Sequence, residues 1–134
     1  MNYLYIALGI FCIFMIYGIT IVLKFSGKRK LNPTKHKHFQ VLLRRINKSL
    51  SSKEKIVDMD KLYHKVLLEI GYQGTFGEIL KGVPNEISDI NKVWEIHKLR
   101  NKLVHDFDNH DEKYLRKKAN EYTRELEKLL ENTK

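Results

Sequence analysis

Residues Tyr3 to Leu23, YLYIALGIFCIFMIYGITIVL, hold no charged side chain in 21 positions. As an α-helix rising about 1.5 Å per residue the stretch is roughly 32 Å long, enough to cross a bilayer core of about 30 Å. Tyr3 and Tyr5 place amphipathic rings where an interface belt would sit. A small domain rarely encloses an all-round apolar helix of this length, so residues 1–23 read as a transmembrane anchor and not a core helix. A cleaved signal peptide fits poorly. The leader is only Met1-Asn2, the apolar run is long, and Leu23-Lys24-Phe25 offers no small-x-small site. Cys12 is the only cysteine, which excludes an internal disulfide framework and a Cys-rich zinc module. It lies behind Phe11 and not behind a small residue, which argues against a lipoprotein-type site, and it reads as a membrane-buried thiol.

Charge is as unevenly spread as apolar surface. The chain of 134 residues carries a formal +9. Ten basic residues (Lys24, Lys28, Arg29, Lys30, Lys35, Lys37, Arg44, Arg45, Lys48 and Lys53) precede the first acid, Glu54. The remainder, from residue 54 on, is slightly acidic. By the positive-inside rule the basic excess puts the N-terminus outside and the C-terminal part in the cytoplasm. The stretch 24–48 is expected to attract anionic lipid headgroups, at about 1 kcal/mol per residue near the surface. RNA phosphates would be attracted by the same lysines.

Residues 24–34 read as a basic juxtamembrane linker, broken by Ser26-Gly27 and Asn32-Pro33. Residues 35–134 read as a cytoplasmic helical bundle. Phe39, Leu43, Ile46 and Leu50 recur on one helix face. Ser51 and Glu54 fit a capping box for a second helix, striped by Ile56, Asp60, Tyr63, Leu67 and Ile70 and stopped at Gly71. Gly71 to Gly77 is glycine-rich, but it lacks Gly-Lys-Ser/Thr and no strand precedes it, so it is no P-loop. Thr75 is the expected N-cap of a short helix at about 76–81. Ser88 is the expected N-cap of a helix running to about His105. Asp106 to His110 is a polar break. Leu115, Ala119, Tyr122, Leu126 and Leu129 stripe a last helix at about 111–131. The expected fold is all-α: one transmembrane helix, then a bundle of four main helices and one short one. Its thin apolar content favours a homodimer.

The helix at 87–105, ISDINKVWEIHKLRNKLVH, holds the most informative pattern. Lys92, Glu95, Lys98 and Lys102 share one polar face. Ile87, Ile90, Val93, Trp94, Ile96, Leu103 and Val104 cover the other side, yet His97, Arg100, Asn101 and His105 fall there too. Buried without partners, such groups would cost about 1–3 kcal/mol each. In a structural reading Arg100 pairs with Asp60, and Asn101 and His105 cap the helix end. In a functional reading they form a site.

Arg100-Asn101-Lys102-Leu103-Val104-His105 resembles the Arg-x4-His motif of the HEPN superfamily. The wider Val93–Asp106 context, with Asp60-Lys61-Leu62 and the turn from Gly71 to Gly74, resembles bacterial membrane-anchored proteins of this type. The resemblance covers about 50–134. It implies a helical bundle, often dimeric with the motif at the interface. Many members are metal-independent endoribonucleases, and others bind only RNA or nucleotide. In the catalytic version Arg100 would hold phosphate, His105 would be the general base or acid, and Asn101, Asp60 and His97 would support them. The alternative is a non-catalytic interaction domain in which the same cluster is a buried polar network. No cofactor is implied. His36 and His38 alternate within a basic stretch, and His105, Asp106, Asp108, His110 and Asp111 form a polar loop whose acids suit the N-terminus of the last helix, so no metal site is expected either.

Overall fold

The computed structural model describes residues 2–25, 27–48, 51–105 and 110–134. Six helices follow in chain order: α1 Asn2–Phe25, α2 Pro33–Asn47, α3 Ser52–Glu69, α4 Phe76–Lys81, α5 Ile90–His105 and α6 Glu112–Asn132. No strand occurs among the described residues, as expected for an all-α chain.

The apolar window of α1, Tyr5–Val22, has no buried residue. Ile13, Phe14 and Tyr17 are each about two-thirds exposed. Such a surface is unfavourable in water at about 25 cal/mol per Å² and favourable in lipid. The Thr20 hydroxyl donates to the Tyr17 carbonyl at 2.8 Å, which satisfies it within the helix. By length and composition α1 can cross a membrane.

The other helices form the bundle. α3 is its centre, packed against α2, α5 and α6, and α4 lies against α5. Ile56, Met59, Tyr63, Val66 and Leu67 of α3 are fully buried, as are Ile96 of α5 and Tyr122, Leu126 and Leu129 of α6. The Tyr63 and Tyr122 rings stack with centroids 5.7 Å apart. Local chemistry sets most helix ends. Ser51 accepts the Glu54 N–H at 3.3 Å. Thr75 and Glu78 make a complete capping box. Gly71 follows α3 with φ +98°, a conformation that favours glycine.

Three expectations change. Asn32-Pro33 starts α2 instead of breaking the chain: Asn32 Oδ1 accepts the Thr34 N–H at 2.9 Å, and proline suits a first helical position. Asp89 caps α5 in place of Ser88, accepting the Lys92 N–H at 3.0 Å. The Ser88 hydroxyl instead accepts from Asn132 Nδ2 at 3.1 Å. The third change concerns the linker, which is docked on the bundle over residues 28–31. The Arg29 N–H donates to Glu86 Oε1 at 2.6 Å and the Leu31 N–H to the Thr133 carbonyl at 2.7 Å. Leu31 is buried in the core. The Arg29 guanidinium lies 4.1 Å over the Tyr72 ring. The break at Asp106–His110 and the stripe residue Leu50 lie, except for His110, outside the described residues.

The main helices alternate in direction. The start of α2 meets the end of α3 through Lys35 and Glu69, 3.4 Å apart. The start of α5 meets the end of α6 through Ser88 and Asn132. At the opposite end the Ser52 hydroxyl donates to Glu112 at 2.6 Å. The docked strap therefore marks one end of the bundle, and His105, closing α5, lies at the other.

Candidate functional site

Asp60 sits in the middle of α3 with its side chain 6% exposed, facing α5 and α6. His97 Nδ1–H donates to its Oδ1 at 2.9 Å and approaches Oδ2 at 3.2 Å. The Tyr122 hydroxyl donates to the same Oδ1 at 2.8 Å. Arg100 Nε comes within 3.6 Å of Oδ2, an ion pair too long for a hydrogen bond. Two hydrogen-bond donors and the Arg100 guanidinium charge thus surround one carboxylate, the compensation a buried anion needs.

The helical spacing of α5 produces the rest. His97 and Asn101 are four apart and so stack on one face. Asn101 Nδ2 lies 3.5 Å from His97 Nε2, and Arg100 Nη1 donates to Asn101 Oδ1 at 2.9 Å. The carboxylate fixes the imidazole proton on Nδ1, which leaves Nε2 as the acceptor toward Asn101. Asp60, His97, Asn101 and Arg100 therefore close a ring. Phe76 meets the edge of His97 at 4.8 Å and Trp94 at 6.0 Å, so apolar rings wall the imidazole. Burial first, and then the Asp60 carboxylate, hold the Tyr122 hydroxyl well above its usual pKa, so it stays a donor.

The candidate residues divide at this point. Asp60, His97, Arg100 and Asn101 come together. His105 is exposed at the end of α5, and among the described residues no hydrogen bond or ion pair joins it to Arg100 or Asn101. The His97 and Arg100 side chains keep 13% and 25% exposure, so the ring touches solvent along the α5 side. Val104, expected on the apolar side, is 49% exposed on the same strip. His36 Nε2–H donates to the Leu130 carbonyl at 2.9 Å, a bond that anchors α2 on α6. Among the described residues no three His, Cys, Asp or Glu side chains gather as metal ligands would.

Tyr122 was legible only as a core residue. Its one signal was a hydroxyl on an otherwise aliphatic stripe, which needs a partner when buried. Glu86 gave no signal at all. It is fully buried, and it accepts from Tyr72 Oη at 2.8 Å as well as from Arg29.

Fold and site together define an all-helical bundle carrying one apolar N-terminal helix, with a carboxylate-centred polar ring between its central helices. No known family model, curated protein or solved structure matches the chain.

Proposed function

We propose that this chain is a membrane-tethered, non-catalytic interaction module whose Asp60–His97–Asn101–Arg100 ring locks α5 onto α3. The observation that carries this reading is the closure of the ring. His97 donates to Asp60, Arg100 donates to Asn101 and pairs with the Asp60 charge although its Nε–H has no hydrogen-bond partner, and Asn101 faces His97, while His105 stands apart. The α1 helix would anchor the module in a bacterial plasma membrane, with the bundle on the cytoplasmic side where the basic excess places it. The half-exposed strip of α5 that carries Asn101, Val104 and His105 is the surface assigned to a second copy of the chain.

A second reading is the HEPN-like one, an RNA- or nucleotide-binding module or metal-independent endoribonuclease. It is favoured by the orientation of His97. An imidazole held through Nδ1 by a carboxylate, beside a partly exposed guanidinium, is an arrangement general-base catalysis uses. The test is incubation of the detergent-solubilised full chain with labelled RNA in EDTA. Intact RNA together with a folded circular dichroism spectrum supports the lock. Cleavage abolished by His97→Ala or His105→Ala would replace it with the catalytic reading.

A further inference from the structure

The strap end of the bundle has a composition of its own. Between Phe25, the last residue of α1, and Lys28 lie only residues 26 and 27. At no more than about 3.6 Å per residue, Lys28 stays within roughly 11 Å of the helix end. From Lys28 on the chain is clamped. Lys28 Nζ donates to Asn132 Oδ1 at 2.9 Å, and Arg29 and Leu31 are held by Glu86 and Thr133. Asn132 Nδ2 in turn donates to the Glu86 carbonyl at 2.8 Å. The bundle therefore cannot drift away from the end of α1 on a slack tether.

Three residues before Glu86 stands Val83, 59% exposed. Its φ is +48°, the left-handed region that a β-branched residue avoids. Pro84 beside it is buried, and the Ile87 N–H closes the turn onto the Pro84 carbonyl at 3.1 Å. A rigid loop thus presents an apolar side chain at the end where the strap enters. Lys81, two residues before Val83, and Lys30 of the strap are exposed; of the two acids of this loop, Glu86 is buried under the strap and Asp89 is paired with Lys92 at 3.6 Å. An apolar tip with exposed lysines at the same end of the bundle complements an anionic bilayer surface, where the side chain enters the headgroup layer and the amines meet phosphate.

We infer that the bundle rests end-on on the anionic bilayer through the Val83 loop and the lysines of the strap end, with its His105 end pointing away. This rests on α1 spanning the bilayer. The experiment uses the full chain, with Cys12→Ser, in nanodiscs of phosphatidylcholine with or without phosphatidylglycerol. An environment-sensitive fluorophore is placed on Val83→Cys, on Lys81→Cys, or on Arg116→Cys near the far end of the bundle. Lipid-borne quenchers should quench labels at 83 and 81 several-fold more than the label at 116. Adding phosphatidylglycerol should increase quenching at 83, and Lys30→Gln with Lys81→Gln should remove that increase. Equal quenching at all three positions, or stronger quenching at 116, overturns the inference. Should Val83→Cys misfold, the Lys81→Cys label decides alone. A chain that fails to enter nanodiscs refutes the spanning reading of α1 instead, which keeps the two failures distinct.

Discussion

His97 on α5 donates through Nδ1 to Asp60 on α3 across 2.9 Å, linking positions 37 residues apart. The other histidine of that helix face, His105, stays at the surface. The polar residues on the apolar side of α5 are thus organised by a carboxylate on another helix.

If this bond is part of a lock, Asp60→Ala strands the Tyr122 hydroxyl, the His97 N–H and the Arg100 guanidinium. The expected loss is about 3 kcal/mol or more of unfolding free energy. His105→Ala should change stability by less than about 0.5 kcal/mol, as surface substitutions usually do. Urea titration of both variants in detergent checks this, and a loss below about 1 kcal/mol for Asp60→Ala would sink the lock.

Tyr122→Phe keeps the stacked ring and removes one donor from Asp60. A cost of about 1–2 kcal/mol is expected. Because the two residues share a bond, the double variant with Asp60→Ala should cost less than the sum of the singles. Additive effects would mean that the hydroxyl contributes nothing to the carboxylate.

Leu31 belongs to the core although it lies in what reads as linker. Leu31→Ala should cost about 2–4 kcal/mol, as buried leucines do. A bundle begun at residue 27 should melt well above one begun at residue 35, which lacks Leu31 and the Arg29–Glu86 bond. Equal melting temperatures would show that the strap adds no stability.

Burial, and then the bond to Glu86, push the Tyr72 hydroxyl up to about 12 from its ordinary 10.0. A raised tyrosine pKa means that the folded state keeps its proton while the unfolded state loses it. Its stabilising contribution is complete below pH 10 and is lost as the pH rises from there through 12. Stability should therefore fall across that window, and Tyr72→Phe should reduce the fall while leaving the part due to the buried Tyr63 and Tyr122 hydroxyls. Denaturant midpoints measured through the alkaline range test it.

Val83 holds a left-handed backbone. Val83→Gly should therefore raise stability, by about 0.5–1 kcal/mol after the added unfolded-state entropy of glycine. A destabilised variant would show that the valine side chain packs more than its exposure indicates.

The helices were legible because their signals are local. The stripe of Ile56, Asp60, Tyr63 and Leu67, the caps at Ser51 and Thr75, and the stop at Gly71 each depend on residues within one turn. The site was half legible. The spacing of His97, Arg100 and Asn101 marked them as a group, and Asp60 stood out as an acid on an apolar stripe. Tyr122 and Glu86 did not stand out. A tyrosine on a core stripe looks like packing, and nothing near Glu86 in sequence announces that a strap from far along the chain will cover it.

The sequence by itself determined that this chain is all-helical, that its first helix suits lipid, and that its excess charge follows that helix. Each depends on composition and short-range periodicity, which a helix reads out residue by residue. Only the tertiary structure decided that His97 and not His105 meets Asp60, and that residues 28–31 are clamp and not tether. Those choices depend on how far α5 is rotated and slid along α3, and on which end of the bundle the chain enters. The packing of the whole core sets both, and no window of sequence contains them.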